Sequence, residues 1–159
     1  MRIEQLMTKN VASCGPDESL DRAAQLMWER DCGFIPVVEK GDSQRVLGVL
    51  TDRDACMAAY TRGQAFPQIR VGDVMSKKVR SCKPTDDLAA AEEAMCEAQI
   101  HRLPVVDDAD QLLGVISLAD IAREAGRETG EKRPQVSVAE IGETLARIRQ
   151  PREIAAVGA

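Results

Sequence analysis

Residues 48–54 read Gly-Val-Leu-Thr-Asp-Arg-Asp, and residues 114–120 read Gly-Val-Ile-Ser-Leu-Ala-Asp. Both stretches contain a glycine, two apolar residues, a hydroxyl residue, and an aspartate three positions after the hydroxyl. The apolar part is typical of a buried strand. A Thr or Ser followed three residues later by an acidic side chain is typical of a helix start. The chain therefore contains the same strand-to-helix junction twice.

The duplication extends well beyond these two junctions. When residues 7–39 are aligned with residues 75–107, 13 of the 33 positions are identical. The identities include Pro-Val-Val at residues 36–38 and 104–106. A polar turn then changes the offset between the copies from 68 to 66, after which the two junctions align. We infer that one structural unit occurs twice in the chain.

Each copy predicts the element order β-α-β-β-α. The first strand is predicted near residues 11–13 and 79–81, and the last helix over residues 52–61 and 118–125. Between them lie a first helix and a β hairpin. Apolar residues at helical spacing predict the buried face of each first helix. They are Leu20, Ala23, Ala24, Met27 and Trp28 in one copy and Leu88, Ala91, Met95 and Cys96 in the other.

These patterns predict an α+β fold of two repeats, residues 1–63 and 71–128, joined by a linker at residues 64–70. Neither repeat is large enough to bury both faces of its sheet, so we expect them to pack about a pseudo-two-fold axis with a cleft between them. Residues 129–159 form a tail with a helix at about residues 138–150, docked on its own repeat, a second subunit or a partner. The predicted apolar stripe of that helix is Val138, Ile141, Leu145 and Ile148, after a capping box of Ser137 and Glu140.

Composition narrows the function classes. Among 159 residues, 21 Lys and Arg face 26 Asp and Glu, giving a net charge of −5 that disfavours nucleic acid and anionic membranes as partners. No apolar run is long enough to span a membrane, and the N-terminus does not resemble a secretory signal. An odd number of cysteines without CxxC spacing argues against a disulfide framework or zinc site and favours a cytoplasmic location. The cysteines are Cys14, Cys32, Cys56, Cys82 and Cys96.

The duplicated pattern resembles the cystathionine β-synthase (CBS) domain pair, also called a Bateman module. The matching features are a Met-Thr or Met-Ser start, a proline before the first helix, the Pro-Val-Val strand and the junction. The resemblance covers about residues 1–128 and is closest to small bacterial CBS-pair proteins of the hypoxic response protein type. It implies a regulatory module in which the cleft between repeats binds AMP, ADP, ATP or S-adenosylmethionine.

The resemblance also implies roles for the junction residues. The aspartate accepts hydrogen bonds from ribose hydroxyls, and the hydroxyl residue three positions earlier contacts ribose or phosphate. In this chain these residues are Asp54 with Thr51 and Asp120 with Ser117. The alternative interpretation is that the same residues only cap their helices, which is compatible with ligand binding.

His101 and Arg102 resemble the pair that contacts phosphate in the regulatory γ subunit of AMP-activated protein kinase. A planar guanidinium suits phosphate oxygens, although the pair could also simply border a hairpin. The first repeat has Gly33 and Phe34 at these positions, where Arg53 is a candidate replacement, so we expect two unequal sites. The remaining candidate ligand-binding residues are Ser13, Ile35, Pro36, Ser81 and Pro104.

Catalysis has little support in the sequence. The chain has one histidine, no nucleophile with a base at a recognisable spacing, no metal-ligand cluster and no phosphate-binding glycine loop. We therefore expect a non-enzymatic adenosine-ligand sensor with no required cofactor, which forms a homodimer and signals through an unidentified effector protein. The alternative is a ligand-free, stress-related interaction dimer. A weaker third hypothesis is redox sensing through Cys14 and Cys82.

Overall fold

The computed structural model describes residues 1–41, 43–130 and 134–151. Five α-helices and five strands occur in this part of the chain, and they confirm the mixed helix-and-strand class. The helices are α1 Leu20–Glu29, α2 Asp52–Arg62, α3 Leu88–Ala98, α4 Leu118–Arg127 and α5 Val138–Ile148. The strands are β1 Thr8–Lys9, β2 Phe34–Val38, β3 Val46–Thr51, β4 Arg102–Val106 and β5 Leu112–Ser117. None of the described helices is long and apolar enough to cross a membrane.

Each repeat is centred on one antiparallel hairpin, β2–β3 in the first and β4–β5 in the second. Before its first helix the first copy has β1, which lies ahead of the predicted residues 11–13 and pairs with the other repeat, and no strand forms at residues 11–13 or 79–81. The predicted position of the strand is therefore wrong in both copies. In its place Cys14 forms one parallel bridge with Val37, and Cys82 forms the equivalent bridge with Val105. A proline two residues further on has no N–H to donate, so the ladder does not continue.

The leading segment of each repeat packs on the other repeat. Ile3 is fully buried in the core of the second repeat, with Leu88 and Ile116. Val71 is fully buried in the core of the first repeat, with Leu20. The backbone contacts are duplicated as well, because β1 pairs with β5, and Ser76 bridges to Val49 in β3. The two repeats are therefore interlocked by exchanged segments.

The linker between the repeats also takes part in a core. Residues Phe66–Gln68 form a short 3-10 helix. Ile69, directly after it, is 1% exposed and packs in the first repeat. The backbone N–H of Leu20 donates to the carbonyl of Ile69 at 2.9 Å, which ties the linker to the start of α1. The linker thus helps to close the first core.

The predicted buried faces of the first helices are confirmed except at Ala24, which is half-buried, and at Trp28. In α3 all four apolar positions are buried, whereas in α1 Leu20, Ala23 and Met27 are buried but Trp28 is 89% exposed. The prediction for Trp28 is wrong because nothing in the described chain packs over that edge of α1. The equivalent edge of α3 carries Cys96, which lies under α5.

Helix α5 docks on α3 and α4 of its own repeat. Its capping box between Ser137 and Glu140 is confirmed, and Ile148 is buried. Two members of the predicted stripe face solvent instead, because Val138 is 62% and Leu145 is 44% exposed. Thr144 takes the inward position between them, where its hydroxyl donates to Glu92 Oε1 at 3.1 Å. A buried hydroxyl with a partner is tolerated at low cost, which periodicity of apolar residues alone cannot reveal.

Candidate functional site

The junction of the first repeat forms a closed hydrogen-bonded unit. The backbone N–H and the hydroxyl of Thr51 donate to Asp54 Oδ2, at 3.1 and 2.7 Å. The backbone N–H of Asp54 donates to Thr51 Oγ1 at 3.2 Å. This is a capping box at the start of α2, so the helix-capping interpretation is confirmed. Asp54 Oδ1 accepts no hydrogen bond from any described residue, and the side chain is half-buried.

The junction of the second repeat repeats these bonds with one addition. Ser117 donates to Asp120 Oδ2 from its backbone N–H at 2.8 Å and from its hydroxyl at 2.5 Å. The other carboxylate oxygen, Oδ1, forms an ion pair with Arg123. Asp120 is only 8% exposed. Both oxygens of Asp120 therefore have protein partners, whereas Asp54 keeps one oxygen available.

A cavity of about 210 Å³ lies between the two repeats on the β3 side. One wall is Val46 and Leu47 of β3, the strand that ends at Thr51. Lys77 and Ser81 line the opposite wall, from the exchanged segment of the second repeat. The other lining residues are Val79, Val106 and Asp110. The lining thus combines apolar side chains with Lys77, Ser81 and Asp110, and most of its exposed surface is polar.

Backbone pairing fixes this wall in place. The N–H of Val49 donates to the carbonyl of Ser76 at 3.0 Å, and the N–H of Ser76 donates back at 2.9 Å. Lys77 follows directly and is exposed. Its equivalent, Lys9, pairs with Gly114 of β5 and is also exposed. Sequence reasoning missed these lysines, although their identity in the aligned copies was a signal that could have found them.

The predicted serines occupy equivalent places next to the central hairpins. Ser13 precedes Cys14, whose N–H donates to the carbonyl of Pro36 at 3.2 Å. Ser81 precedes Cys82, whose N–H donates to the carbonyl of Pro104 at 3.1 Å. Ser81 is exposed and lines the 210 Å³ cavity, while Ser13 is half-buried.

Other predicted residues have less to offer a ligand. Ile35 is fully buried in the first core, so its side chain has no surface to present. Pro36 and Pro104 are buried within their strands. Arg53 is exposed in the first turn of α2, and its backbone N–H donates to Asp52 Oδ1 at 2.7 Å. Its guanidinium is therefore available near the start of the helix.

His101 and Arg102 have different environments. Arg102 is half-buried and lies opposite Ser117 in the β4–β5 ladder, on the side of the junction. His101 Nε2 is buried and has no hydrogen-bond partner among the described residues. Burial lowers the pKa of His101, and the positive charges of Arg149, just after α5, and Arg102 lower it further. The structure thus places Arg102 near the predicted site and places His101 under the influence of α5.

The larger cavity, about 480 Å³, contains none of the predicted ligand-binding residues. It lies between α1 and α2, and its lining includes Asp52, the residue directly after Thr51. In the described part of the chain, no group of three or more His, Cys, Asp and Glu side chains could hold a metal ion. The geometry therefore directs attention to the cleft between the repeats.

Comparison with known proteins identifies the family. The sequence model of the CBS domain matches residues 3–60 and again residues 71–127. The chain belongs to the CBS domain family. It is 38% identical over 120 residues to the CBS domain-containing protein YhcV of Bacillus subtilis, covering 76% of this chain and 82% of that protein. It is 31% identical over 118 residues to hypoxic response protein 1 of Mycobacterium tuberculosis, covering 74% and 80%.

Solved CBS pairs share the fold and include ligand complexes. CBSX2 in complex with AMP is 25% identical, with a TM-score of 0.70 over 80% of this chain and 98% of that chain. The CBS pair of MJ0100 in complex with 5'-methylthioadenosine and S-adenosylmethionine is 19% identical, with a TM-score of 0.71 over 80% and 98%. The second likeness concerns the fold alone.

Proposed function

We propose that this CBS pair is a regulatory module that binds an adenosine-containing ligand in the cleft beside Asp54 and transmits the occupancy to an effector protein. The observation that carries the proposal is the Asp54 carboxylate, fixed at the start of α2, whose Oδ1 accepts no hydrogen bond from any described residue. A carboxylate in this position suits a ribose diol, since hydrogen bonds to a charged acceptor are strong.

A ligand that extends from Asp54 along β3 would meet further groups in the cleft between the repeats. Val46, Leu47 and Val79 offer apolar surface for a purine base. Lys77 and the exposed Arg53 offer positive charge for phosphate, as does the N-terminus of α2. At about 210 Å³ the cavity is smaller than the roughly 300–1,000 Å³ of whole-ligand sites, so the phosphates extend outside it.

The two clefts are proposed to be unequal. At Asp54 the ligand finds an available carboxylate oxygen. At Asp120 it must displace Arg123, whose side chain is 69% exposed and can rotate away at modest cost. Once displaced, Arg123 and Arg102 would supply positive charge for phosphate there. We therefore assign the tighter site to Asp54 and the weaker site to Asp120.

The ligand class is supported by the comparisons. AMP is bound by CBSX2, which is 25% identical to this chain. We propose AMP, ADP, ATP or S-adenosylmethionine as the ligand and no obligatory cofactor. Binding would shift how the repeats pack, and the effector would sense that shift.

Titration calorimetry of the full chain with each of the four ligands tests the proposal. We expect one tight site, which Asp54→Asn weakens about tenfold, corresponding to about 1.4 kcal/mol. Asp120→Asn should affect that site much less. Asparagine keeps an oxygen that can accept the Thr51 N–H bond, so we expect α2 to remain intact in Asp54→Asn. An unchanged melting temperature of this variant without ligand would show this. Asp21→Asn, exposed on α1, is the matched control. Absence of binding by all four ligands at millimolar concentration would refute the proposal.

We also propose that two copies associate through the outer face of α2. Tyr60 is 80% and Met57 is 47% exposed on that face. Exposed large apolar side chains one helical turn apart are typical of an interface. Light scattering at micromolar concentration should give twice the chain mass of 17.3 kDa, and Met57→Lys with Tyr60→Lys should give one copy. A dimer that binds no adenosine ligand would favour the ligand-free interaction protein.

A further inference from the structure

The groove between α1 and α2 encloses the cavity of about 480 Å³. Its floor includes Met27 and Ala55, which are 8% and 3% exposed. Trp28 lines one wall and is 89% exposed. Asp31 and Asp52 also line the groove, and both are exposed. The groove therefore has an apolar floor, a large uncovered aromatic side chain and two carboxylates.

The duplication provides an internal comparison for this groove. Trp28 and Asp31 correspond to Cys96 and Gln99 in the second repeat. There Cys96 Sγ lies 3.7 Å from a carbonyl oxygen of α5, and Gln99 Nε2 lies 2.9 Å from the carbonyl of Gln150, just past the end of α5. The same groove in the second repeat thus contains a helix whose C-terminal end lies at Gln99.

The first groove lacks two of the carboxylates that hold α5 in the second repeat. In the second repeat, Glu92 accepts a hydrogen bond from Thr144, and Glu93 pairs with Arg147 at 2.7 Å. The corresponding residues of the first repeat are Ala24 and Gln25, which carry no charge. A helix in the first groove must therefore be held by different side chains.

Charge indicates what kind of helix fits. Asp31 and Asp52 stand where the second repeat has Gln99 and Leu118, at the end of the groove that receives the last turn of the helix. A Cβ on Gly33 would come 2.5 Å from Asp52 Oδ2, so this carboxylate lies against the groove. The C-terminus of a helix carries partial negative charge, which two carboxylates would repel unless Lys or Arg side chains lie between.

We propose that this groove binds an amphipathic helix of a partner protein, with its apolar face on Met27, Ala55 and Trp28 and with Lys or Arg in its last turn facing Asp31 and Asp52. Tryptophan is enriched among residues that dominate binding interfaces, and its burial would supply much of the affinity. The proposal rests on the proposed regulatory function. It adds to that function the chemistry of the effector segment that the module would bind.

The test uses a synthetic peptide of residues 137–151 with Gly142→Ala to raise its helicity. This probe has an apolar face and two arginines, Arg147 and Arg149, in its last turn. Trp28 is the only tryptophan in the sequence, so the emission of the full chain reports the first groove alone. We expect a saturable blue shift of that emission when the peptide is added.

Charge variants test the specificity of this binding. Asp31→Asn with Asp52→Asn should weaken peptide binding about three- to tenfold, whereas Asp21→Asn should leave it unchanged. Asparagine also tolerates the left-handed backbone of Asp31, φ 48°, so the fold should be retained. A peptide with Arg147→Glu and Arg149→Glu should bind weakly or not at all.

Three results would overturn the proposal. The first is no shift at millimolar peptide, and the second is a shift that the Asp31 and Asp52 variants do not alter. The third is a red shift of Trp28 emission when the protein alone is diluted and its mass falls to half. Such a shift would mean that a second copy covers the groove before dilution. The titration contains no nucleotide, so its failure would leave the calorimetric test of ligand binding unaffected.

Discussion

Gly114 lies directly against the backbone of Thr8, because a Cβ built on the glycine would come 2.5 Å from the Thr8 carbonyl oxygen. The glycine of the first junction, Gly48, is in the same position, since its Cβ would come 2.9 Å from the carbonyl oxygen of Ser76. The junction glycines therefore allow the exchanged segments to approach the hairpins closely. This explains physically why the duplicated motif begins with glycine.

Gly114→Ala should destabilise the protein by about 1–3 kcal/mol, because the added methyl group meets backbone rather than a flexible side chain. The matched control is Gly126→Ala in α4, where a Cβ meets nothing within 4 Å. That change should stabilise by about 0.5–1 kcal/mol, through helix propensity. Urea unfolding of both variants measures the difference, and an equal effect of the two would contradict the close approach of Thr8.

Substitutions at Ile148 and Leu145 distinguish the observed docking face of α5 from the apolar stripe that periodicity predicts. Ile148 is 3% exposed in the second core, and Leu145 is 44% exposed. Ile148→Ala should cost about 2–5 kcal/mol in free energy of unfolding. Leu145→Ala should change the free energy of unfolding by no more than about 0.5 kcal/mol, as most surface substitutions do. Comparable losses in denaturant titrations would mean that α5 packs through a different face.

The thiols of Cys14 and Cys82 should react slowly in the folded protein. Burial raises the pKa of each thiol to about 12, with smaller contributions from Glu18 and Asp86 respectively. Cys56 is exposed and should be alkylated first by iodoacetamide at pH 8. Mass spectrometry of labelled peptides, with a urea-unfolded sample as control, measures the order. Rapid labelling of Cys14 and Cys82 would revive the redox-sensing hypothesis.

Protonation of His101 should destabilise the fold in mildly acidic solution. Burial, Arg149 and Arg102 lower its pKa in the folded state, so below its ordinary pKa of about 6.5 the unfolded chain binds more protons. The contribution of His101 to stability is therefore complete above that pH and decreases as the pH falls towards the lowered value. Urea midpoints from pH 8 to pH 5 should fall less steeply for His101→Gln. Parallel slopes for the two proteins would exclude this role for His101.

Much of the fold could be predicted because its signals are local. The capping boxes at Thr51 and Ser117 depend on side chains three residues apart, and the spacing is visible in the sequence. The buried faces of α1 and α3 follow from helical periodicity. The same periodicity failed for Trp28 and Leu145, because a residue at the edge of a face is covered or exposed according to what packs there.

The candidate site could be predicted only in outline. The junction residues and Ser81 could be named from the duplicated pattern, and the cavity between the repeats lies beside the strand that leads to Asp54. Lys77 was missed because its position at the cavity depends on the exchange of segments. The sequence also could not show which carboxylate oxygens already have partners, since the ion pair of Arg123 with Asp120 depends on rotamers that spacing does not fix.

The sequence by itself determined the duplication, the order of the main helices and hairpins, the capping boxes and the family, because each depends on neighbouring residues or on similarity between the copies. Only the tertiary structure decided that Ile3 and Val71 complete the opposite cores, and that α5 covers one helical groove and leaves the other open. These outcomes depend on which apolar surfaces meet across long stretches of chain. Burial of apolar area has no preferred direction, so the partner of each surface is selected by the whole fold.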